Sequence, residues 1–262
     1  EMKDRQFTQK KADVIVDIIL PNYNKSNFLK EAINSLINQT YKNFHIYIID
    51  DNSTDDSWTI IEGFKNLNNI TSIRLKKNMG PSFCRNYGMR VSNSKYISFI
   101  DSDDSWELDK LEKQIDFMEK NNFNFTYTDY VPFFQDKNKK TFKKQTLLRD
   151  NFNFNSFIKN SSINTTTMII QRSILKTNRF KKVKLMEDYL FKCQLLRNNI
   201  AIKFSESLAY YRILNKSRSS QRLKNLISLW YLNKTYNKLS FFRNMQSIIS
   251  ISINSIKKYG IK

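Results

Sequence analysis

The sequence predicts an α/β fold, a mainly parallel sheet flanked by helices, with a basic helical extension at the C-terminal end. Short β-rich apolar runs alternate with amphipathic helical spacing through the first half of the chain, which is the pattern of βαβ units. Clusters of small polar and acidic residues follow three of these runs. The 262 residues are 40% apolar and 14% aromatic, enough for a packed core and too apolar for a disordered chain.

The run VIVDIIL over residues 14–20 is mostly apolar and ends at Pro21, as expected of a strand buried on both faces. Phe28, Leu29, Ala32, Ile33, Leu36 and Ile37 then fall at helical spacing. A second strand over residues 45–49 runs into Asp50-Asp51-Asn52-Ser53-Thr54, and Ile60, Ile61 and Phe64 continue as a helix that those small polar residues can cap. Residues 70–75 read as a third strand, after which Asn78-Met79-Gly80 turns the chain into a helix carrying Arg85. A fourth strand over residues 95–100 ends in Asp101-Ser102-Asp103-Asp104. Leu108, Leu111, Ile115 and Met118 give another helix, followed by a strand over residues 125–131.

The second half is less regular. Residues 136–144 (DKNKKTFKK) read as a solvated basic loop or a hairpin tip, residues 165–170 as a strand and residues 173–176 as the start of a short helix. Leu185-Met186-Glu187-Asp188 leads into an apolar helix over residues 189–196. Phe152, Phe154 and Phe157 read as core, and His45 as a packing or surface residue. From Gln221 onward, apolar spacing gives two helices, the first with Leu226, Ile227, Trp230 and Tyr231 interleaved with Arg222, Lys224, Lys234 and Lys238.

The formal charge of +20 suggests nucleic acid, but it is unevenly spread. Residues 1–135 hold 17 basic and 19 acidic groups, residues 136–184 hold 13 and 2, and residues 201–262 hold 12 and 1. The excess therefore lies in the second half, and no nucleic-acid motif accompanies it. No run of about 18 apolar residues exists to span a bilayer, and the first dozen residues lack the apolar core of a signal peptide. Two cysteines, Cys84 and Cys193, give neither a disulfide framework nor a cysteine zinc site, so a cytoplasmic location is expected. His45 as the only histidine removes histidine metal clusters.

In open α/β sheets ligands bind beyond the carboxyl ends of the strands. The clusters at 21–24, 50–54 and 101–104 should therefore meet at one edge and line a nucleotide-sized crevice with acids. Phosphates among carboxylates need a bridging hard cation. Asp51, just past the second strand, can accept the N3–H of a uracil on which the Tyr23 ring stacks; the alternative is that Asp50, Asp51 and Thr54 cap the following helix. The helix entered at Gly80 offers free N–H groups to an anion, with Arg85 either near that anion or in a structural ion pair.

Pro21-Asn22-Tyr23-Asn24, Asn38-Gln39-Thr40-Tyr41, Asp50-Asp51-Asn52-Ser53-Thr54-Asp55-Asp56-Ser57, Asn78-Met79-Gly80-Pro81 with Arg85-Asn86-Tyr87-Gly88, Asp101-Ser102-Asp103-Asp104-Ser105-Trp106 and Glu187-Asp188-Tyr189 occur in this order. Together they closely resemble glycosyltransferase family 2, whose members have the GT-A, Rossmann-like nucleotide-sugar-binding fold. The resemblance is dense from about Val16 to Trp106, thinner at Glu187-Asp188 and Tyr211-Arg212, and weak beyond Gln221. Cys84 stands where the family usually has alanine. The resemblance implies a GT-A domain over residues 1–220, with a donor half over 14–106 and an acceptor half over 107–220, and leaves 221–262 as a basic amphipathic helical segment. It implies an inverting, metal-dependent transferase of the hexosyl type, acting in cell-surface polysaccharide synthesis. The sugar would pass from a nucleotide-sugar, a UDP-sugar by preference, to a hydroxyl of a glycan or lipid-linked acceptor. Pro21, Tyr23, Asn24, Asp51, Asn78, Gly80, Arg85 and Asp101 map to nucleotide binding, Asp103 to a Mn2+ or Mg2+ ligand, and Asp188 to the general base. Glu187, Tyr211 and Arg212 map to the acceptor or the diphosphate, with Ser217 and Ser219 completing the family's YR…S segment. Helix capping is the alternative for Glu187 and Asp188. The basic C-terminal half then suits an acceptor at an anionic membrane surface, with the protein peripheral on the inner face of the cell membrane; the alternative is an ordinary amphipathic helix with a solvated basic face. The competing readings are a nucleic-acid-binding basic protein, which the acidic cluster opposes, and a catalytically silent scaffold of the same fold.

Overall fold

The computed structural model describes residues 15–136, 139–214 and 222–259. Val14, Ser217, Ser219 and Gln221, named above, lie outside the described residues. Strand β1 (Val16–Asn22) is buried along its whole length, because it lies between β2 (Phe44–Asp50) and β4 (Tyr96–Phe99), both parallel to it. Strand β3 (Ile70–Arg74) continues this parallel block outside β2. The connecting helices are α1 (Ser26–Ile37), α2 (Ser57–Glu62) and α3 (Pro81–Val91). Helix α1 buries Leu29, Ala32, Ile33 and Leu36, the apolar face its spacing predicts.

Beyond β4 the sheet becomes mixed. It is extended by β5 (Ser105–Trp106), β6 (Phe125–Asp136), β7 (Lys139–Phe142), β8 (Asn151–Phe152), β9 (Ile169–Gln171) and β10 (Ala201–Arg212). The ten strands form one sheet in the order β3-β2-β1-β4-β9-β6-β10-β5, with β7 on β6 and β8 on β10. Strand β9 is antiparallel to both β4 and β6, whereas β6 and β10 are parallel. The remaining helices are α4 (Lys110–Asn121), α5 (Phe154–Phe157), α6 (Glu187–Leu196), α7 (Arg222–Thr235) and α8 (Phe241–Tyr259).

Three expectations change. The strand expected over residues 165–170 begins only at Ile169, because the Asn164 side chain accepts from the Thr166 amide at 3.0 Å and curls Thr165–Thr167 into a 3₁₀ turn. The strand expected to stop at residue 131 runs on to Asp136, and β7 returns along it, so the described residues of the basic 136–144 segment belong to the exposed end of a hairpin. Asp104, to which the sequence assigns no role, is a buried structural acid, described below.

Phe152 and Phe157 are fully buried and Phe154 packs against the same core. His45 is buried, with Nε2 2.7 Å from Thr71 Oγ1. Both cysteines are free and buried. Leu229, Leu232 and Leu239 carry the core into the C-terminal helices, where Tyr189 donates to Asn233 Oδ1 at 2.7 Å. Among the described residues no helix is long and apolar enough to cross a membrane.

Candidate functional site

The loops after β1 and β2 are stitched together by short polar side chains. Asn22 donates to Asp50 Oδ1 at 2.8 Å and to Ser53 Oγ at 3.2 Å. Asn24, in the left-handed region at φ 50°, accepts the Thr54 amide at 2.8 Å. Pro21 lies inside β1 as a buried residue, and Asn24 serves the loop-to-loop junction. Tyr23 is 45% exposed at this edge, its ring presented to solvent.

Asp51 does not cap α2. Its two carboxylate oxygens accept the Met79 amide at 2.6 Å and the Gly80 amide at 2.8 Å, which fixes the entry to α3. Gly80 there has φ 86°, a conformation glycine adopts without strain, and Pro81 opens the helix. Asn78 donates to the Asp51 carbonyl at 3.4 Å. Asp51 is buried. Burial, with Asp51 next to it, pushes the Cys84 thiol up, so this cysteine packs as a small neutral side chain.

Arg85, buried one and a half turns into α3, gathers acids from distant parts of the chain. It donates to Asp101 Oδ1 at 2.6 Å and lies 3.5 Å from Glu187 Oε1. Its guanidinium also faces the Phe180 ring at 5.2 Å. Burial disfavours the cation, but the charges of Asp101 and Glu187, and more weakly Asp188, raise its pKa overall. The buried Nε has no hydrogen-bond acceptor among the described residues.

Glu187 and Asp188 open α6, preceded by Met186 at φ 62°. Asp188 accepts from Lys192 Nζ at 2.8 Å, one helical turn on, and from Thr165 Oγ1 at 3.4 Å. Its side chain stays 41% accessible while Lys192 is almost wholly enclosed. The dry surroundings raise its pKa, but the Lys192 ammonium outweighs them and holds the carboxyl down to about 2. Asp188 is therefore a carboxylate at any ordinary pH.

Asp103 is paired with Lys25 Nζ at 2.6 Å and keeps 17% of its side chain accessible. Asp104 points inward, accepting from Thr166 Oγ1 at 2.7 Å and from the Arg212 amide at 3.0 Å. Burial, then the charges of Asp103 and Asp101, push its pKa well above the usual carboxylate range. Arg212 is closed off from solvent. It donates to the Asp103 carbonyl at 2.8 Å and to Glu31 at 3.0 Å, bonds Gln135, and lies between the Phe28 and Phe133 rings at 4.4 and 4.5 Å. Its guanidinium thus holds the strand-end backbone instead of presenting donors to the cleft. Tyr211 packs edge-on against Tyr130.

Asp101, just past β4, and Glu187, at the start of α6, thus meet on Arg85, which lies on the helix whose entry Asp51 of the β2 end fixes. Residues 17–183 match the profile of Glycosyl transferase family 2. The chain belongs to that family. A relative in Escherichia coli, the UDP-Glc:alpha-D-GlcNAc-diphosphoundecaprenol beta-1,3-glucosyltransferase WfgD, is 31% identical over 222 residues, covering 83% of this chain and 85% of that protein. The putative teichuronic acid biosynthesis glycosyltransferase TuaG of Bacillus subtilis is 27% identical over 93% of this chain and 97% of its own. Among solved structures, S. aureus TarS 1–349 in complex with UDP-GlcNAc superposes with a TM-score of 0.72 over 93% of this chain and 73% of its own, at 20% identity. That likeness shows the GT-A fold.

Some parts of this family 2 site could not be read along the sequence. Lys192 had a visible signal, the four-residue spacing from Asp188 on one helix. Lys25 and Phe180 had none, since each meets its partner across about 80 to 95 residues of chain and only the folded sheet brings them together. Among the described residues no three histidine, cysteine or acidic side chains converge to enclose a metal ion. The donor set, Asp103 with Asp101 at the strand end, suits a Mg2+ or Mn2+ that takes its other ligands from phosphate and water, as such ions commonly do.

Proposed function

We propose that the protein is an inverting transferase that moves a sugar from a nucleotide-sugar, a UDP-sugar, to a hydroxyl of a glycan or lipid-linked acceptor in cell-surface polysaccharide synthesis. The observation that carries this reading is the convergence of Asp51, Asp101, Asp103, Arg85 and Asp188 on the carboxyl edge of the parallel strands. Tyr23 supplies an exposed ring for the base and Asp51 an acceptor for its N–H. Arg85, whose Nε is buried without an acceptor, contributes a cation for the diphosphate. Asp103 and Asp101 would hold a divalent ion, which supplies charge neutralisation for the leaving diphosphate.

The acceptor oxygen attacks the anomeric carbon as the bond from that carbon to the diphosphate oxygen breaks. The acceptor's proton passes to Asp188, and the nucleoside diphosphate leaves with the bonding electron pair. Because Lys192 holds Asp188 to about 2, the carboxylate is a weak base. It takes the proton late, once bonding to the anomeric carbon has made the acceptor oxygen strongly acidic. Lys192 and Thr165 fix the carboxylate's direction.

The donor class is tested by thermal unfolding with a panel of nucleotide-sugars in the presence of Mn2+. At about a hundred times its dissociation constant, a bound donor stabilises by about 2.7 kcal/mol, which raises Tm by about 5–10 °C in a chain of this size. UDP-sugars should give this shift, and Asp103→Ala should remove its dependence on Mn2+. A panel with no stabilising nucleotide-sugar would sink the reading.

A further inference from the structure

The C-terminal helix pair is folded with an apolar side outward. On α8, Asn244 and Ser247 are buried, whereas Phe242, Met245, Ile249, Ile253 and Ile256 are exposed. Those five recur every three or four residues, so they form one stripe along the helix. On α7, Leu223, Ile227 and Tyr231 recur every fourth residue and are likewise exposed. Exposure reaches 81% at Phe242 and 72% at Leu223, values that a chance surface residue does not explain when eight such positions are arranged periodically.

The inward side sets Leu229, Leu232, Ile248 and Ile251 on the core and adds a group of amides and hydroxyls. Asn233 donates to Asn244 Oδ1 at 3.1 Å and to Ser247 Oγ at 3.0 Å, and it accepts from Tyr189 at 2.7 Å and from Asn237 at 2.9 Å. A globular protein normally turns a helix the other way, with its apolar stripe on the core. Here buried leucines and these polar groups together dock the pair, and a second apolar stripe is left without cover from this chain's described residues. Charge narrows what can cover it: residues 222–259 contain seven Lys and Arg and no Asp or Glu. A second copy laid on the same face would set the exposed Lys224, Lys234 and Arg243 of each against those of the other. An anionic lipid surface meets both features, since its headgroups attract Lys and Arg while its acyl boundary takes the apolar side chains.

We propose that the outward face of α7 and α8 is a peripheral docking surface for an anionic bilayer. The stripe enters the headgroup–acyl boundary, and Lys224, Lys234 and Arg243 remain at headgroup level. Because Asn233 of α7 is bonded to Tyr189, the residue after Asp188, a docked surface is linked rigidly to the helix that opens on Asp188. The proposal deepens the transferase reading by naming the surface on which a lipid-linked acceptor arrives. Its test uses neither donor nor acceptor, so either can fail alone.

The full chain is mixed at low salt with vesicles of phosphatidylcholine containing phosphatidylglycerol, or of phosphatidylcholine alone, and sedimented. Binding should be at least about tenfold stronger to the anionic vesicles and should weaken as salt is raised. Ile249→Glu with Ile253→Glu alters only exposed positions, and should lower binding at least about tenfold with an unchanged melting curve. Lys224→Glu with Lys234→Glu provides an independent pair should the first fail to fold, and should act in the same direction. The proposal is overturned if the wild-type chain ignores anionic vesicles, or if folded variants bind as it does. It is equally overturned if sedimentation velocity without lipid shows a dimer that these substitutions disperse.

Discussion

Lys110 shows most directly how the physical chemistry of one side chain reaches the stability of the whole. It is fully buried at the start of α4, its ammonium 4.0 Å from the Trp106 ring centroid and 2.9 Å from Gln114 Oε1. Neither neighbour carries a charge, and burial alone pulls its pKa down from 10.5 to about 7. Between these two values the unfolded chain binds more protons than the folded one, so stability rises with pH across that window and the penalty is constant below it. Lys110→Met removes this term. The variant's stability relative to wild type should therefore fall as pH rises, by up to about 3 kcal/mol between about pH 7 and about pH 9.5, measured by urea unfolding at each pH. A difference that stays flat with pH would show that Lys110 is neutral already or better solvated than its burial implies. Other residues of the site were legible for what they are and opaque for what they touch. Asp103 and Asp188 stood out by motif and position, but the Lys25 that pairs with Asp103 and the Arg212 that grips its carbonyl come from 78 and 109 residues away. Local pattern holds no trace of such distances.

The elements of the parallel block could be read in order because each announces itself locally. The run before Pro21 is apolar but for Asp17, and α1 shows its buried face as Leu29, Ala32, Ile33 and Leu36. The sequence also carried a tight fit that only the fold interprets. Gly88 of α3 lies on β1, where an added Cβ would stand 2.6 Å from Ile19 Cγ2. Gly88→Ala should overpack this contact and destabilise by about 1–3 kcal/mol, lowering Tm by roughly 3–10 °C. Adding Ile19→Ala removes all three side-chain atoms the new methyl would meet, so the double variant should be more stable than the sum of the two single changes. If the double variant were less stable than the sum of the single changes, the close approach would not be the cause. The elements misread were those where a side chain overrides the backbone's preference. Asn164 turned an expected strand at Thr165 into a 3₁₀ turn. The helices after Gln221 were legible as helices, but their 3.6-residue spacing could not say which side faces inward. Asn233, Asn244 and Ser247 decide that, by bonding one another and Tyr189.

Across the whole molecule, charge and chemistry are divided. The first 135 residues hold slightly more acids than bases, and the acids at their strand ends meet Arg85 and the Glu187-Asp188 start of α6 at one cleft edge. The basic excess lies in the remainder, including helices that turn apolar and cationic groups outward. Fold and family were legible because six motifs occur in order along the chain, five of them in its first 106 residues. The sugar and acceptor were not, because no motif in the less regular second half names them. The central claim is that Asp188 takes the acceptor's proton, and Asp188→Asn tests it most directly. Asparagine keeps the size of the side chain and cannot accept that proton as a carboxylate does. With a UDP-sugar that stabilises the wild-type chain, the variant should bind the donor with affinity within about twofold and lose about 10²–10⁴ in transfer rate. Donor binding intact with turnover unchanged would contradict the account.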